Sequence, residues 1–433
     1  MNESFEKARE YFLAGISAFE SGRFGEAETD FELSLAMVPG RVSTLNNLAS
    51  ARIHLAKPDA ALAALEIVLA REPDNLEALS HRGAALAQLD RHADALACYE
   101  RVLAADPDRR AVIFHRGTTL GLLDRDPEAI AEFDRLLILE PRHAEAWLRR
   151  GQSLLRQVEH EQALESCAKA LAIDPLFAEA WTVRGTILAE LKRHEEAAAA
   201  FEQAIANGGD EKLNGFFLAG MRSSGPPAAP PRHYVETLFD EYAGTFDDHL
   251  VQVLHYQAHN ILIESLRLLT SRRFERALDL GCGTGLCGVL LQPIAAAIDG
   301  VDLSANMLEK AAGRHVYAEL VHADIGEHLH ATGQRYDLVV AGDVFIYIGD
   351  LSAIFAGVVR VLDAGGAFCF SAELVDDNED FVLRSTLRYA QSERFIRRLA
   401  REHGFAIDRI DRRPVREDRH QPIAGLFVFL TRA

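Results

Sequence analysis

An α-helical solenoid followed by a doubly wound α/β domain is the architecture this 433-residue sequence predicts, on three observations. Residues of the same type recur every 34 positions through the first half. A proline-rich run at 223–231 ends that register. From Phe274 onward, short β-rich runs alternate with helical stretches, the pattern of a mostly parallel sheet covered by helices.

The repeat is the firmest of these. Pro39, Pro73, Pro107, Pro141 and Pro175 keep the 34-residue spacing, as do Ala27, Ala61, Ala95, Ala129, Ala163 and Ala197. Gly15, Gly83, Gly117, Gly151 and Gly185 share the register, with Ala49 in the second repeat. Four residues after each alanine stands a large side chain, Phe31, Leu65, Tyr99, Phe133 or Phe201, with Cys167 the small exception. Each unit reads as two helices: the glycine lets the first lie close to the second, and the proline opens the next unit where a missing N–H costs nothing. Six units fill about residues 8–209, enough to bury a continuous core by stacking, and 213–221 reads as a capping helix. This pattern resembles the tetratricopeptide repeat, with Trp147 and Trp181 at its early aromatic position. The resemblance implies a concave groove lined by the first helices, here by Asn46, Asn47, Ser50, Ser80, His81, Phe114, His115, Thr118, Arg149 and Gln152. A protein or peptide partner and a spacer or self-association surface are both open readings of that groove.

Composition narrows the function. Asp and Glu number 65 against 46 Lys and Arg, a formal charge of −19, which repels phosphate backbones and anionic lipid, so no nucleic-acid or membrane partner is expected. No apolar run approaches the ~20 residues of a membrane span, and the charged start of the chain does not read as a signal peptide. Five scattered cysteines fit a reducing, cytoplasmic setting better than a disulfide framework. The domain expectation is 1–222 for the solenoid, 223–232 for a semi-rigid linker and 233–433 for the α/β domain.

The chemistry gathers around Leu278-Asp279-Leu280-Gly281-Cys282-Gly283-Thr284-Gly285, which ends a strand and opens a helix. Glycines there let backbone N–H groups approach a ligand. The segment also satisfies a dinucleotide fingerprint, one glycine late. Asp279 would repel a pyrophosphate but suits the ammonium and sulfonium of S-adenosylmethionine; a nicotinamide cofactor requires Asp279 to face away. Asp302, 21 residues after Gly281, sits where a carboxylate accepts both ribose hydroxyls of either cofactor. Asp324 is placed to read an adenine amino group, with Leu303 and Met307 as apolar faces for the ring.

These spaced elements together resemble the class I S-adenosylmethionine-dependent methyltransferases, which have a Rossmann-like fold. With Tyr234–Ala243, Phe246–Leu250, residues 336–351, 388–392 and 421–430, the chain resembles bacterial methyltransferases that carry an amino-terminal tetratricopeptide array. It departs from them at His259, where a proline is common, and at Gln391, where a histidine is common. The resemblance implies a methyltransferase using S-adenosylmethionine, bound by Asp279, Gly281, Cys282, Gly283, Thr284, Gly285, Asp302, Leu303, Met307 and Asp324. Asp343, at the end of the fourth strand, would orient the methionine end or take a proton from the acceptor, unless it merely caps the next helix. Tyr242 and Phe246 share one face of a helix; the resemblance implies that it covers the cofactor like a lid with Tyr242 near the methionine end, and two core aromatics is the other reading. Tyr256, Tyr347, Arg388 and Tyr389 are acceptor-side candidates. His255 and His259 are spaced for zinc but lack further ligands, so no metal is expected. The rival reading is a repeat-based adaptor whose second domain binds cofactor without turnover.

Overall fold

The computed structural model describes residues 2–222, 225–243, 257–418 and 421–433. It divides into two compact units, Met1–Leu191 and Lys192–Ala433.

In the first unit, helices pair as Asn2–Glu20 with Phe24–Met37, Val42–His54 with Pro58–Arg71, Leu76–Ala87 with His92–Ala105, Arg110–Leu122 with Asp126–Leu139, and Ala144–Arg156 with His160–Ile173. Ala178–Glu190 opens a sixth pair, and the expected period holds throughout. The small residues do what the spacing implies. A Cβ on Gly15 would lie 2.6 Å from the Phe31 ring, on Gly83 2.3 Å from Tyr99 and on Gly117 2.9 Å from Phe133. At Gly151 the gap opens to 3.3 Å, because Cys167 stands where the others have a ring. The indole N–H groups of Trp147 and Trp181 donate to the carbonyls of Pro141 and Pro175, at 3.0 and 2.9 Å.

One periodic feature lies outside the sequence reading. Gly22, Ala56, Asp90, Asp124 and Val158 each end the first helix of a pair with left-handed backbone, φ between 53° and 72°. The next residue's N–H then reaches back into the last turn, as from Arg91 to the Leu86 carbonyl at 3.0 Å, satisfying a carbonyl the helix leaves open.

The second unit contains His194–Ala206, Glu211–Arg222, the proline-rich segment and the α/β domain. Its strands are β1 (Phe274–Leu280), β2 (Ala295–Asp302), β3 (Glu319–His322), β4 (Tyr336–Ala341), β5 (Leu362–Val375), β6 (Phe381–Leu383), β7 (Tyr389–Ser392), β8 (Phe405–Asp418) and β9 (Gln421–Arg432). Strands β3, β2, β1, β4 and β5 run parallel in that order. Antiparallel β9 joins β5, and β8 joins β9, while the far end of β5 passes to β7 and β6. The order in which strands are added reverses between β1 and β4, and doubly wound sheets bind ligands outside the carboxyl ends of strands at such a switch.

The proline-rich segment is no free spacer. The Tyr389 hydroxyl donates to the Pro227 carbonyl at 2.8 Å, and the Gly349 and Asp350 N–H groups donate to the Ala228 carbonyl at 2.8 and 3.2 Å. Helix Glu211–Arg222 packs here too: Phe216 stacks near Tyr234 and Tyr389, and Gly220 lies against Leu387. Composition alone read a linker; buried aromatics and borrowed carbonyls make it a strap tied to the sheet.

Candidate active site

A cavity of about 440 Å³ opens over the carboxyl ends of β1, β2 and β4. Its floor is the glycine loop. Gly281, Gly283 and Gly285 have φ of 62°, 52° and 89°, a region L side chains rarely adopt. A Cβ on Gly281 would also strike Val344 at 2.6 Å. Gly285 is the N-cap of helix Leu286–Leu291. Gly281 to Thr284 line the cavity, and the Cys282 thiol is raised by burial.

Asp302 ends β2 and is 8% exposed at the cavity edge. One carboxylate oxygen accepts from the Gly283 N–H at 2.8 Å, the other from the Ser304 N–H at 2.9 Å. The Leu303 N–H acts on the carboxylate as well, and three donors leave acceptor capacity for a ligand hydroxyl. Burial pushes its carboxyl up, and the Ser304 and Gly283 N–H groups pull it back. Leu303 and Met307 form the adjoining apolar wall; Met307, fully buried, serves core and cavity at once. Asp324 also lines the cavity. Its Oδ1 caps helix Ile325–Ala331 through Gly326 and Glu327 N–H groups, at 2.8 and 3.1 Å.

Asp279 departs from its expected place. It does not line the cavity: it is 1% exposed beneath the loop and accepts the Tyr317 hydroxyl at 2.7 Å. Burial pushes its carboxyl up to about 7 against that hydrogen bond. Tyr317 occupies a slot that side chains at Gly285, Gly288 and Gly300 would close, with built Cβ positions 2.4–3.1 Å from its ring or hydroxyl. Tyr317, 38 residues on, holds Asp279 beneath the loop. The charge of Asp279 therefore does not separate a dinucleotide from S-adenosylmethionine.

Asp343 does not cap a helix. Its φ is 62°, its N–H donates to Ser371 Oγ at 2.8 Å, and its carboxylate accepts from Arg416 at 3.1 and 3.3 Å. Left-handed backbone at a non-glycine residue is strain that the surroundings must impose. Burial pushes the Asp343 carboxyl up, with Arg416 and Arg388 opposing. Arg416 from β8, which sequence reading missed, also binds Glu373 and is nearly inaccessible. Tyr347 and Arg388 line the same end; Tyr389 is buried behind it. Gln391 donates to the carbonyls of Phe345 and Ile348, at 3.0 and 2.7 Å, fixing the turn that presents Tyr347.

Helix Arg232–Tyr242 roofs the cavity through Val235 and Phe239. Asp240 bonds Ser304 Oγ at 2.5 Å and accepts the Asn306 side-chain N–H on its carbonyl at 3.1 Å, tying the roof to helix Ala305–Ala312. Tyr242 ends this helix; its side chain, Phe246, His255 and Tyr256 lie outside the described residues. His259 is buried and lines the cavity. Among the described residues no group of three potential metal ligands occurs.

In the repeat unit, Asn46 is buried, its amide donating to Glu77 at 3.0 Å, so it is not a groove residue. Arg149 is held by Glu179 and Gln152, at 2.8 and 2.9 Å. Phe114 stacks on His143 with centroids 5.0 Å apart.

A methyltransferase-domain family matches residues 277–366, and the tetratricopeptide repeat matches 46–110, 127–176 and 162–211. A malonyl-[acyl-carrier protein] O-methyltransferase of Enterobacter lignolyticus is 31% identical over 127 residues, 28% of this chain and 50% of that protein. A ubiquinone biosynthesis O-methyltransferase of Thiobacillus denitrificans is 28% identical over 103 residues, 22% of this chain and 44% of that one. The match spans half or less of the length of these curated relatives. The solved magnesium protoporphyrin IX methyltransferase from Synechocystis, with bound SAH, aligns at 18% identity and a TM-score of 0.37, covering 47% of this chain and 99% of that one. The second unit thus holds a methyltransferase domain on a doubly wound sheet. The chain is one that joins tetratricopeptide repeats to such a domain. Among the described residues no helix is long and apolar enough to cross a membrane.

Proposed function

We propose that the chain is an S-adenosylmethionine-dependent methyltransferase of the cytoplasm, its repeats recruiting a protein or peptide. The observation that supports a nucleoside site is Asp302, a cavity-edge carboxylate held by backbone N–H groups with acceptor capacity to spare, and the methyltransferase-domain match over 277–366 favours S-adenosylmethionine over a dinucleotide there. The donor set fits: a carboxylate for a ribose hydroxyl, a loop of Gly281 to Gly285 open to close approach, and Leu303, Met307, Ile325 and Asp324 in the lining to take the adenine.

S-adenosylmethionine supplies a methyl group already activated by a sulfonium, so this chain's task is alignment and water exclusion. Val235 and Phe239 above, and Ile346 and Ile348 beside, keep the acceptor end apolar. Asp343 orients that end and is the candidate proton acceptor, held by Arg416. Tyr242 keeps its assignment near the methionine end by resemblance. In the repeat groove Glu77, Glu145 and Glu179 are about half exposed, and Arg149 is already neutralised, so a donor-rich or cationic peptide suits it better than a free carboxylate terminus.

Calorimetric titration of S-adenosylhomocysteine tests the assignment. Wild type should bind near micromolar, about −8 kcal/mol, and Gly283→Asp and Asp302→Ala should lose it. NAD binding in its place would make the domain a dinucleotide site. Cofactor binding without methyl transfer to any cellular fraction would favour the adaptor.

A further inference from the structure

We propose that Ser304 is a positioning residue that makes binding of the nucleoside and seating of the roof helix one event; the inference rests on the nucleoside site proposed above. Ser304 is fully buried and holds three groups at once. Its N–H donates to one oxygen of Asp302 at 2.9 Å, and its Oγ accepts the Met307 N–H at 3.1 Å as the N-cap of helix Ala305–Ala312. A carboxylate only accepts, so the one hydroxyl proton goes to Asp240 on the roof, at 2.5 Å. Gly283 holds the other oxygen of Asp302 at 2.8 Å. Hydrogen bonds therefore run without a break from the glycine loop through Asp302 and Ser304 to a roof residue 64 positions away in sequence.

The two halves of the roof are held differently. The amino half of helix Arg232–Tyr242 follows the strap, whose Ala228 carbonyl is tied to the sheet, and Tyr234 packs on Phe216 and Phe217. Arg232, about half exposed, adds ion pairs to Glu236 and Glu327 that contribute little. The carboxyl half rests on Phe239, whose ring meets Tyr347 edge-on at 5.0 Å, and on Asp240. Among the described residues Asp240 makes its hydrogen bonds to Ser304 and Asn306. A charge-assisted bond with a buried partner outweighs an exposed ion pair, so Asp240 is the stronger polar tether. A ribose hydroxyl on Asp302 immobilises the carboxylate that fixes Ser304, and by reciprocity a seated roof favours the bound ribose. Phe239 adjoins Asp240 and lines the cavity, so the same event sets one wall of the acceptor end.

Ser304→Gly separates this role from helix capping, because glycine keeps the backbone N–H to Asp302 and is itself a tolerated N-cap. Asp240→Ala removes the other end of the link and leaves the cap alone. Hydrogen–deuterium exchange over residues 232–243 is measured for wild type, both variants and their combination, each bare and saturated with S-adenosylhomocysteine or adenosine. Ligand dissociation rates are measured on the same proteins by surface plasmon resonance. In wild type either ligand should slow roof exchange by about tenfold, and in each variant by less than about twofold. Dissociation should quicken by about fivefold in each variant and no further in the combination, since both cut one link. Roof exchange slowed as fully in the variants as in wild type would overturn the proposal, leaving Val235 and Phe239 to seat the roof by apolar contact. Rates that multiply in the combination would also refute it, as would a defect confined to Ser304→Gly, which would make the serine a helix cap alone. If wild type refuses S-adenosylhomocysteine but takes NAD, the methyltransferase assignment falls, and roof exchange with NAD bound decides the tether, since Asp302 meets a ribose either way. Wild type that binds none of the three ligands would overturn both.

Discussion

The two units spend their interiors differently. Among the described residues of Met1–Leu191, Asp126 is the one buried charged side chain, and Arg156 pairs with it. Apart from a few neutral polar side chains such as Ser34 and Asn46, the rest of that interior is mostly small residues meeting large ones every 34 positions. The Lys192–Ala433 unit buries Asp279, Asp299, Asp302, Asp337, Glu373 and Arg416. A solenoid needs each repeat only to fit its neighbour. A catalytic sheet gathers polar groups at strand ends and must satisfy each one through residues distant in sequence. Stability in the first unit is therefore a sum of local fits, and in the second it hangs on a few non-local pairs.

The sharpest way to break that contrast is Arg416→Met. It leaves Asp343 and Glu373 buried without their shared partner and should cost about 3–5 kcal/mol in urea denaturation. A cost under about 1 kcal/mol would mean the cluster is far wetter than its burial implies.

Next comes Asp279→Asn. With the folded carboxyl pushed up to about 7, the folded chain holds a proton that the unfolded chain releases near pH 4. Its contribution to stability is therefore present at acid pH and lost as pH rises through that window, by roughly 4 kcal/mol at most. Unfolding at pH 4.5 and 8 should show wild type losing stability relative to Asp279→Asn. A flat profile would place the carboxylate in water, and an opposite slope would place it beside a cation.

In the repeats, Gly83→Ala drives a methyl into the Tyr99 ring and should cost about 1–3 kcal/mol. Tyr99→Leu in the same chain should recover part of it, because Ala49 and Leu65 already form that pair in the second repeat. A double-mutant cycle with no coupling would deny that the period is a packing rule. The smallest effect is a gain. Val158 is exposed and β-branched in left-handed backbone, so Val158→Gly should stabilise by about 1 kcal/mol, less the entropy glycine adds to the unfolded chain.

Legibility follows the same divide. Alanine, glycine and proline spacing foretold every helix pair in the first unit, because each contact joins residues about sixteen apart and repeats. The left-handed junctions escaped notice since Ala56, Asp90, Asp124 and Val158 share a backbone state but, Asp90 and Asp124 aside, no side chain. In the second unit, the glycine loop and Asp302 were readable, since backbone geometry and strand ends impose them locally. Asp279 was read as facing a ligand, and the partner that holds it beneath the loop, Tyr317, carries no motif. Arg416 was missed for the same reason: it reaches Asp343 across 73 positions. Proline content suggested a tether at 223–232, and only the three-dimensional partners of the Pro227 and Ala228 carbonyls show otherwise.

That strap bears on how the protein can be cut. A chain beginning at Lys192 would keep Phe216 and Gly220 against the sheet's hairpin, together with the carbonyls that cap Tyr389 and Gly349. One beginning just after Arg222 would strip an aromatic face from Tyr389 and Tyr234, leaving a sticky surface at the rear of the cavity. A fragment of the second kind that aggregates would report a severed seam rather than a role for the repeats in catalysis. The border that matters to an experimenter lies within the sixth repeat, ahead of the prolines.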